Sequence, residues 1–195
     1  MRLLSIHVFS LYQSKPILLS SAFSLSFVSN FHRGALKDYL TFYSRLVIER
    51  VAQGFFVNLE LEKGICYAMA NSDKIGVTII CDEEYPKSSV FEFLLKIYDN
   101  FKTFVAEKKL DLYLYTADTD VKYEYIANEI EDWQDPSKKD NLMKLKKKIN
   151  EYTENMRQKI NESLKKEETL EELMKKADEL CAKSKAFYEQ AKKKK

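Results

Sequence analysis

The last third of the chain constrains its architecture most, because it repeats a helical pattern and contains no residue that would end a helix. Beyond Pro136 there is no Gly and no Pro, and 29 of the 59 residues are charged. Alternating steps of three and four residues from Leu142 reach fifteen positions, of which eleven are apolar. This is the a/d spacing of a coiled coil. At its usual rise, a helix of this length extends about 75 Å, so the apolar seam must bind partner helices or fold against the rest of the chain.

The seam is apolar at both ends and polar near its middle. Its apolar positions are Leu142, Leu145, Ile149, Tyr152, Met156, Leu170, Leu173, Ala177, Leu180, Phe187 and Ala191. The central polar stretch consists of Lys159, Ser163 and Lys166, and Ser184 is polar further along. A buried polar layer lowers stability but fixes register and partner choice. From periodicity alone, a simpler explanation is that Lys166 extends its amine to solvent from a tolerant position.

The first 136 residues, called the head, have a different composition from this tail. They hold all four Gly, all three Pro and 22 of the 25 aromatic residues. Their net charge is −5, against +7 for residues 137–195. Such a head can bury a core, whereas the tail alone cannot. We therefore predict a globular domain over 1–131, a linker over 132–141 around Asp135-Pro136-Ser137, and a coiled-coil segment with a basic end over 142–195.

Local patterns in the head indicate an α+β domain with an antiparallel sheet. Residues 2–12 and 16–24 read as a strand–turn–strand unit, because polar residues and Gln13-Ser14-Lys15-Pro16 interrupt what would otherwise resemble a signal peptide. A helix is predicted from Ser29 and Asn30 up to Gly54. Three strands (55–61, 65–70 and 75–81), a long helix after Pro86, an extended piece within 110–117 and a helix over about 119–131 follow.

Catalytic and metal-binding roles find little support in the residues. Cys66, Cys81 and Cys181 are too few and too scattered for a disulfide scaffold, and no Cys/His pair has zinc spacing. His7 and His32 lie in a predicted strand and near a helix start, and no phosphate loop or nucleophile elbow is present. We expect no enzyme activity, no cofactor and no metal. A default location in the reducing cytosol follows from the cysteine usage.

Nucleic-acid binding is also disfavoured, although the basic tail suggests it. Its lysines are interleaved with eleven acidic residues, which is typical of a solvated coiled-coil face. Only residues 192–195 form an uninterrupted basic cluster, and such a cluster suits a position beside a membrane.

Taken together, these residues resemble the longin-domain R-SNAREs, and within them the lipid-anchored Ykt type, a synaptobrevin-like family. The resemblance covers nearly the whole chain and is weakest over about 107–131. The matching stretches are Met1-Arg2-Leu3, Thr41-Phe42, Leu46-Val47-Ile48-Glu49-Arg50, Glu84-Tyr85-Pro86 and Ser184-Lys185-Ala186-Phe187-Tyr188. The resemblance implies a longin (profilin-like) domain, with a five-stranded antiparallel-type sheet and flanking helices, followed by a SNARE coiled-coil helix.

The resemblance also implies a function in fusing transport vesicles with target membranes. The SNARE segment of this family joins three Q-SNARE helices in a parallel bundle, and its central ionic layer normally has an Arg. Lys166 occupies that position here, which keeps the charge but loses the planar guanidinium. The other reading is a longin-type trafficking adaptor or tether subunit with a generic coiled coil, which the position of the polar layer and Ser-Lys-Ala-Phe-Tyr disfavour.

Two further expectations come from the family. Its longin domain folds back on the SNARE segment along a groove between the first helix and the third strand, and Phe42 matches the groove-side aromatic. In the predicted helix Phe42 falls beside the main apolar stripe, where it could meet a partner segment; alternatively, Phe42 packs in the core. The family also ends in a lipidated Cys-Cys-a-a-X box, which we expect to follow Lys195. The expected location is cytoplasmic and peripheral on Golgi, ER, vesicle, endosomal or vacuolar membranes.

Overall fold

A computed structural model describes residues 2–61 and 64–135 of this chain. The linker beyond Pro136 and the predicted seam, including Lys166 and all the apolar seam positions, lie outside the described residues. The described elements are β1 (Leu3–Ser10), β2 (Ile17–Phe23), α1 (Asn30–Ile48), β3 (Phe55–Leu61), β4 (Gly64–Ala70), β5 (Ile75–Cys81), α2 (Lys87–Glu107), a 3-10 turn (Leu112–Leu114) and α3 (Tyr125–Asp132).

The five strands form one antiparallel sheet in the order β2-β1-β5-β4-β3. β1 and β5 therefore meet in the centre although they are far apart in the chain, and β2 and β3 are the edges. One helix, α1, packs on β4 and β5, while α2 packs on β5 and β4 and α3 on β2 and β1. The predicted α+β fold with a five-stranded antiparallel sheet is confirmed.

Most of the apolar core lies between the sheet and the two helices α2 and α3. Trp133 stacks on Phe93, with ring centroids 4.4 Å apart and an interplanar angle of 8°. The ring of Phe101 meets that of Tyr123 edge-on at 4.9 Å. Aromatic side chains bury a large apolar area, and such ring contacts add about 0.5–1.5 kcal/mol each. This layer is therefore the main source of the domain's stability.

Three predicted elements differ from the structure. α1 ends at Ile48 rather than near Gly54, because the chain turns through hydrogen bonds from Arg50 and Val51 to the carbonyls of Val47 and Ile48. The extended piece predicted within 110–117 is a 3-10 turn, in which the Asp111 carboxylate accepts a hydrogen bond from the Tyr113 amide.

The last helix starts at Tyr125, not near 119. The amides of Thr119 and Val121 instead donate to the carbonyls of Leu18 and Leu19, each at 2.9 Å, so this stretch runs along the edge of β2. Lys122 then takes a left-handed backbone conformation, with φ of 57°. A residue in that conformation cannot lie inside an α-helix, so the helix begins after it.

Residues 132–134, which begin the predicted linker, pack against the rest of the domain. Trp133 is 2% exposed, and its backbone oxygen accepts a 2.6 Å hydrogen bond from the Tyr85 hydroxyl. The Gln134 amide accepts from the Leu3 amide at 3.1 Å and donates to the Leu3 carbonyl at 3.0 Å. The side chain of Gln134 thus pairs with the start of β1 much as a neighbouring strand would. Within the described residues, no helix is both long and apolar enough to cross a bilayer.

Candidate functional site

The face of the sheet that carries α1 contains an unusual number of polar and small side chains. His7, on β1, is fully buried between two hydroxyls of α1. Its Nδ1 lies 2.9 Å from Ser44 Oγ, and its Nε2 lies 3.2 Å from Thr41 Oγ1. Thr41 and Ser44 are three residues apart and thus share one face of the helix. The imidazole therefore links β1 to α1 at two points.

The hydrogen bonds around His7 fix its tautomer. Thr41 donates its only hydroxyl proton to the Lys37 carbonyl at 2.8 Å, so it must accept from His7 Nε2. His7 Nδ1 then accepts from the Ser44 hydroxyl. Burial, and secondarily the charge of Arg45, lower the pKa of His7 to about 3. The imidazole is neutral at physiological pH.

This cluster was not foreseen in the sequence, and its geometry indicates a structural role. It joins a hydroxyl and an imidazole, the groups of a nucleophile–base pair, but both Ser44 and His7 are completely shielded from solvent. Cys66 on β4, which is separated from β1 by β5, is also buried, and burial raises the pKa of its thiol well above its usual range. A substrate would have no access to these groups. The only available sequence signal was a histidine in a strand whose other polar residues are both serines.

The second cysteine in the described residues has similar properties. Cys81 is free and buried, and burial raises the pKa of its thiol to about 12. A thiol in this state stays protonated at neutral pH and is a poor nucleophile. Over residues 2–61 and 64–135, no group of three or more His, Cys, Asp or Glu side chains could hold a metal ion.

Small residues let α1 approach the sheet closely. A β-carbon on Gly76 would lie 2.6 Å from Ile48 Cγ1, nearer than such atoms approach. Gly76 pairs with Ala70 on β4, and Ala70 pairs with Phe55 on β3. Because directly opposed residues in antiparallel strands share a face, Phe55 lies on the face that carries α1.

The same strand register shows on which face of the sheet the other residues of β3 lie. Val57, Leu59 and Leu61 share the face of Phe55, opposite Ala68, Cys66 and Gly64. Phe56 lies on the other face, where its ring meets Phe91 of α2 at 4.8 Å. The outer edge strand therefore presents a continuous apolar row to the side of the sheet on which α1 lies. We call Phe42 together with Phe55, Val57, Leu59 and Leu61 the α1–β3 surface.

Phe42 is the half-buried aromatic on the α1 side of this surface. Its ring meets that of Tyr43 edge-on, with centroids 5.6 Å apart. The helix residues that are buried are Leu40, Tyr43, Ser44, Val47 and Ile48. Phe42 falls outside this set, as the helical pattern predicted. Its role in a groove stays a prediction.

Comparisons with known proteins give the two parts of the chain separate matches. The family model described as a regulated-SNARE-like (longin) domain matches residues 23–128. The Synaptobrevin family model matches residues 141–195, the stretch that contains the predicted seam. The first match ends before the predicted linker, and the second begins at the last residue of that linker, Asn141.

Curated relatives match over nearly the whole chain. The synaptobrevin homolog YKT6 of Saccharomyces cerevisiae is 32% identical over 194 residues, covering 99% of this chain and 96% of the relative. The protein of the same name from Debaryomyces hansenii is 28% identical over 193 residues, with the same two shares. The VAMP-like protein YKT61 of Arabidopsis thaliana is 26% identical over 180 residues, covering 92% of this chain and 88% of the relative.

Proposed function

The chain belongs to the Ykt-type family of longin-domain R-SNAREs, and from this premise we propose that its tail assembles with three Q-SNARE helices to drive membrane fusion. Proteins of this family act in vesicle trafficking and are not enzymes. The observation that carries the proposal is the eleven-residue apolar seam within the stretch that matches the Synaptobrevin family. Apolar area that is buried only on assembly supplies free energy at the moment the helices join.

Circular dichroism of the full chain mixed with three Q-SNARE helices tests this assembly. We expect a gain of helix beyond the sum of the components and a complex that resists heating. Leu170→Ala with Leu173→Ala removes two seam side chains and should lower the melting temperature of the complex. Glu171→Ala with Glu172→Ala, two positions off the seam, is the matched control. If no set of Q-SNARE helices produces a gain, a generic coiled coil of an adaptor or tether becomes the better explanation.

Lys166 is proposed to donate hydrogen bonds to glutamine side chains in the central layer of that bundle. An ammonium can reach several carbonyl oxygens, although it lacks the planar donor array of Arg. Lys166→Ala should therefore lower the melting temperature of the assembled complex, and Lys166→Arg should preserve or raise it. If both variants melt like the parent complex, the side chain reaches solvent and takes no part in the layer.

A closed form is proposed in which the tail folds back on the α1–β3 surface of the longin domain. The half-buried Phe42 and Val57 support it, because both lie where a returning apolar seam could cover them beside the buried residues of the β3 row. Phe42→Glu should open this form, since a carboxylate at that position would lose its hydration when the seam docks. Hydrogen exchange in residues 142–191 should then become faster.

The matched control for that experiment is Tyr113→Glu. Tyr113 is 63% exposed and lies on the 3-10 turn, away from α1 and β3. Introducing the same charge there should leave the exchange of residues 142–191 unchanged. Equal exchange in the parent chain, Phe42→Glu and Tyr113→Glu would contradict the proposed closed form without touching the assembly proposal.

Membrane association is proposed to come from a lipidated Cys-Cys-a-a-X box beyond Lys195. The protein would then be cytoplasmic and peripheral on Golgi, ER, vesicle, endosomal or vacuolar membranes. Mass spectrometry of the protein isolated from its own cells should detect a prenyl group on a C-terminal cysteine. A lipid-free C-terminus would contradict this form of attachment.

A further inference from the structure

We propose that the head itself docks on an anionic lipid surface through the turn between β2 and α1 and the first two turns of α1. This surface, called the Phe27/Phe31 surface, comprises Phe27, Phe31, Arg2, Arg33 and Lys37. It rests on the proposed function only in placing the protein near a membrane. It does not require SNARE assembly, the closed form or a lipid anchor.

Exposed aromatic side chains are the first observation. Phe27 is 49% exposed and Phe31 is 57% exposed, and only three residues separate them. The other large hydrophobic side chains exposed in the described residues are Tyr12, Tyr113 and Leu114, near the β1–β2 turn. The two groups therefore lie at opposite ends of the β1–β2 hairpin. Exposed aromatic rings next to cations are typical of surfaces that insert into the headgroup layer of a bilayer.

Arg33 holds the turn in place. Its Nε donates to the Val28 carbonyl at 2.8 Å, and its Nη2 donates to the Ser26 carbonyl at 3.1 Å. The Val28 amide also donates to the carbonyl of the buried Leu25. The segment that carries Phe27 is thus fastened to the helix that carries Phe31. Since the turn is already ordered, docking requires little further loss of conformational entropy.

Charge is the second observation. The first 37 residues contain Arg2, Lys15, Arg33 and Lys37 and not one Asp or Glu, although the head as a whole has a net charge of −5. The Arg2 guanidinium lies over the Phe27 ring, 4.6 Å from its centroid, and the Lys37 amine lies 5.2 Å from the centroid of the Phe23 ring. Arg2, Arg33 and Lys37 thus lie around the exposed aromatic pair, whereas Lys15 lies in the β1–β2 turn at the other end of the hairpin.

Acidic residues border the surface on two sides, since the exposed Asp38 follows Lys37 on α1 and a second acidic group lies beside Arg2. The Asp82 amide donates to the Arg2 carbonyl, and Asp82-Glu83-Glu84 leads from β5 into α2. That helix packs on the opposite face of the sheet from α1. An anionic membrane that meets the start of α1 therefore meets cations first, within a Debye length of about 8–10 Å at ordinary salt.

The positive charge of the Phe27/Phe31 surface indicates which partner it binds. The tail of this chain has a net charge of +7, so it does not complement a cationic surface. Anionic lipid headgroups do, and each nearby Lys or Arg strengthens such binding while the aromatic rings add apolar burial. The exposed group of Tyr12, Tyr113 and Leu114 has mixed charges around it, with Lys15, Lys74 and Lys109 but also Asp73, Asp111 and Asp118. It therefore provides a matched control surface.

The test uses a tryptophan reporter in the full chain, because the basic tail could bring any variant to anionic vesicles. Phe31→Trp places the reporter in the proposed surface, and Tyr113→Trp places it in the control surface. The chain's own Trp133 is buried and gives a constant background. Each variant is mixed with vesicles of phosphatidylcholine alone or with an equimolar mixture of phosphatidylcholine and phosphatidylserine, with brominated phosphatidylcholine as the quencher.

We expect the Phe31→Trp reporter to shift to shorter wavelength and to be quenched on the mixed vesicles only. The Tyr113→Trp reporter should do neither. Adding Arg2→Glu and Lys37→Glu to Phe31→Trp should abolish the shift. An unchanged Phe31→Trp spectrum would overturn the proposal. Equal quenching of both reporters would overturn it too, because it would show contact without orientation. So would a shift seen only when Q-SNARE helices are added, since the surface would then bind protein.

Vesicle co-sedimentation gives a second measurement. Phe27→Ser with Phe31→Ser should weaken partition onto the mixed vesicles about tenfold, because two partly exposed aromatic side chains no longer reach the headgroup layer. Tyr113→Ser with Leu114→Ser should change it less than about twofold. Circular dichroism melts of both variants check that the fold is kept. Equal partition of the two double variants would contradict the proposed surface, whereas the assembly test above would be unaffected.

Discussion

The two faces of the sheet bury different kinds of side chain, although the same strands form both. On the α2–α3 face, large rings such as Trp133, Phe93 and Phe101 interlock. On the α1 face, the buried groups include an imidazole, several hydroxyls, a thiol and a glycine. Two of the hydroxyls, Ser5 Oγ and Thr78 Oγ1, have no hydrogen-bond partner within the described residues.

Because of this difference, one face mainly stabilises the domain and the other mainly determines the position of α1. Buried apolar area stabilises without fixing direction, whereas buried hydrogen bonds add little net stability but are costly to misalign. The α2–α3 face therefore contributes most of the free energy of folding, and the α1 face fixes how one helix is seated. The α1–β3 surface and the Phe27/Phe31 surface both belong to the α1 side. Regions of lower local stability are the ones that exchange partners most readily.

Trp133→Ala should have the largest effect, because it attacks the aromatic face. The substitution removes the stacking on Phe93 and the hydrogen bond from Trp133 Nε1 to Glu129, which measures 2.9 Å. We expect the free energy of unfolding to fall by about 3–5 kcal/mol, as for other large-to-small core substitutions. Urea unfolding followed by circular dichroism measures it. A loss below about 1 kcal/mol would remove the assigned difference between the two faces.

Gly76→Ala tests the close approach of α1. Its new methyl group would press on Ile48 Cγ1 at 2.6 Å and on Leu11 Cδ1 at 3.2 Å. Overpacking of this kind costs about 1–3 kcal/mol. The cost should be smaller when Ile48→Ala is already present, because the opposing atom is gone. Additive losses in that double-mutant cycle would mean that the helix and the strand are not in tight contact there.

His7→Gln tests the polar link on the α1 face. At pH 7 we expect a loss of about 1 to 2 kcal/mol, because at least one α1 hydroxyl is left without its partner. The pKa of His7 is lowered on folding, so the unfolded chain takes up a proton near pH 6.5 and the folded chain only near pH 3. The stabilisation is therefore complete above pH 6.5 and is lost as the pH falls toward 3.

The measurement compares unfolding free energies of the parent chain and His7→Gln across that range. Carboxylates titrate in both proteins, so the difference between them isolates the imidazole. The advantage of the parent chain should shrink as the solution is acidified. A difference that does not vary with pH would mean that folding does not lower the pKa of His7.

Breaking the ion pairs should lower the free energy of unfolding least, and by similar amounts on the two faces of the sheet. Arg45 Nη2 lies 2.5 Å from Asp118 Oδ2 on the α1 side, and Lys96 Nζ lies 2.8 Å from Glu129 Oε2 between α2 and α3. Asp118→Asn and Lys96→Met should each cost about 0.2–1 kcal/mol, and less at high salt. Titrating stability against sodium chloride measures this. A large, salt-independent loss on either side would assign that pair a structural role.

Local sequence patterns predicted the strands well, because their signals are local. The bounds of β3 and β5 agree with the predictions, and β4 begins one residue earlier than expected. The predicted start of α1 at Ser29 and Asn30 also agrees, although the Ser29 hydroxyl bonds to the His32 ring instead of capping a backbone amide. Periodicity and turn residues within a short window are enough for such elements.

Features that depend on distant residues could not be predicted in this way. The stretch 119–121 was included in the predicted last helix, but its amides bond to β2, about a hundred residues earlier in the chain. The strand order and the position of His7 between two α1 hydroxyls also depend on contacts between segments that are far apart in the chain. On the candidate site, the helical pattern placed Phe42 off the buried stripe, whereas the apolar row of β3 required the register of the sheet.

The pairing of Gln134 with Leu3 has a mechanical consequence. β1 lies between β2 and β5, in the interior of the sheet, and the last described residues are tied to its first residue by two hydrogen bonds. A force that pulls on the chain beyond Asp135 would act first on the two Gln134–Leu3 hydrogen bonds and on the packing of the Trp133 ring. It would then act on β1, a strand in the interior of the sheet, which is bonded to β2 and β5 on either side and to α1 through His7.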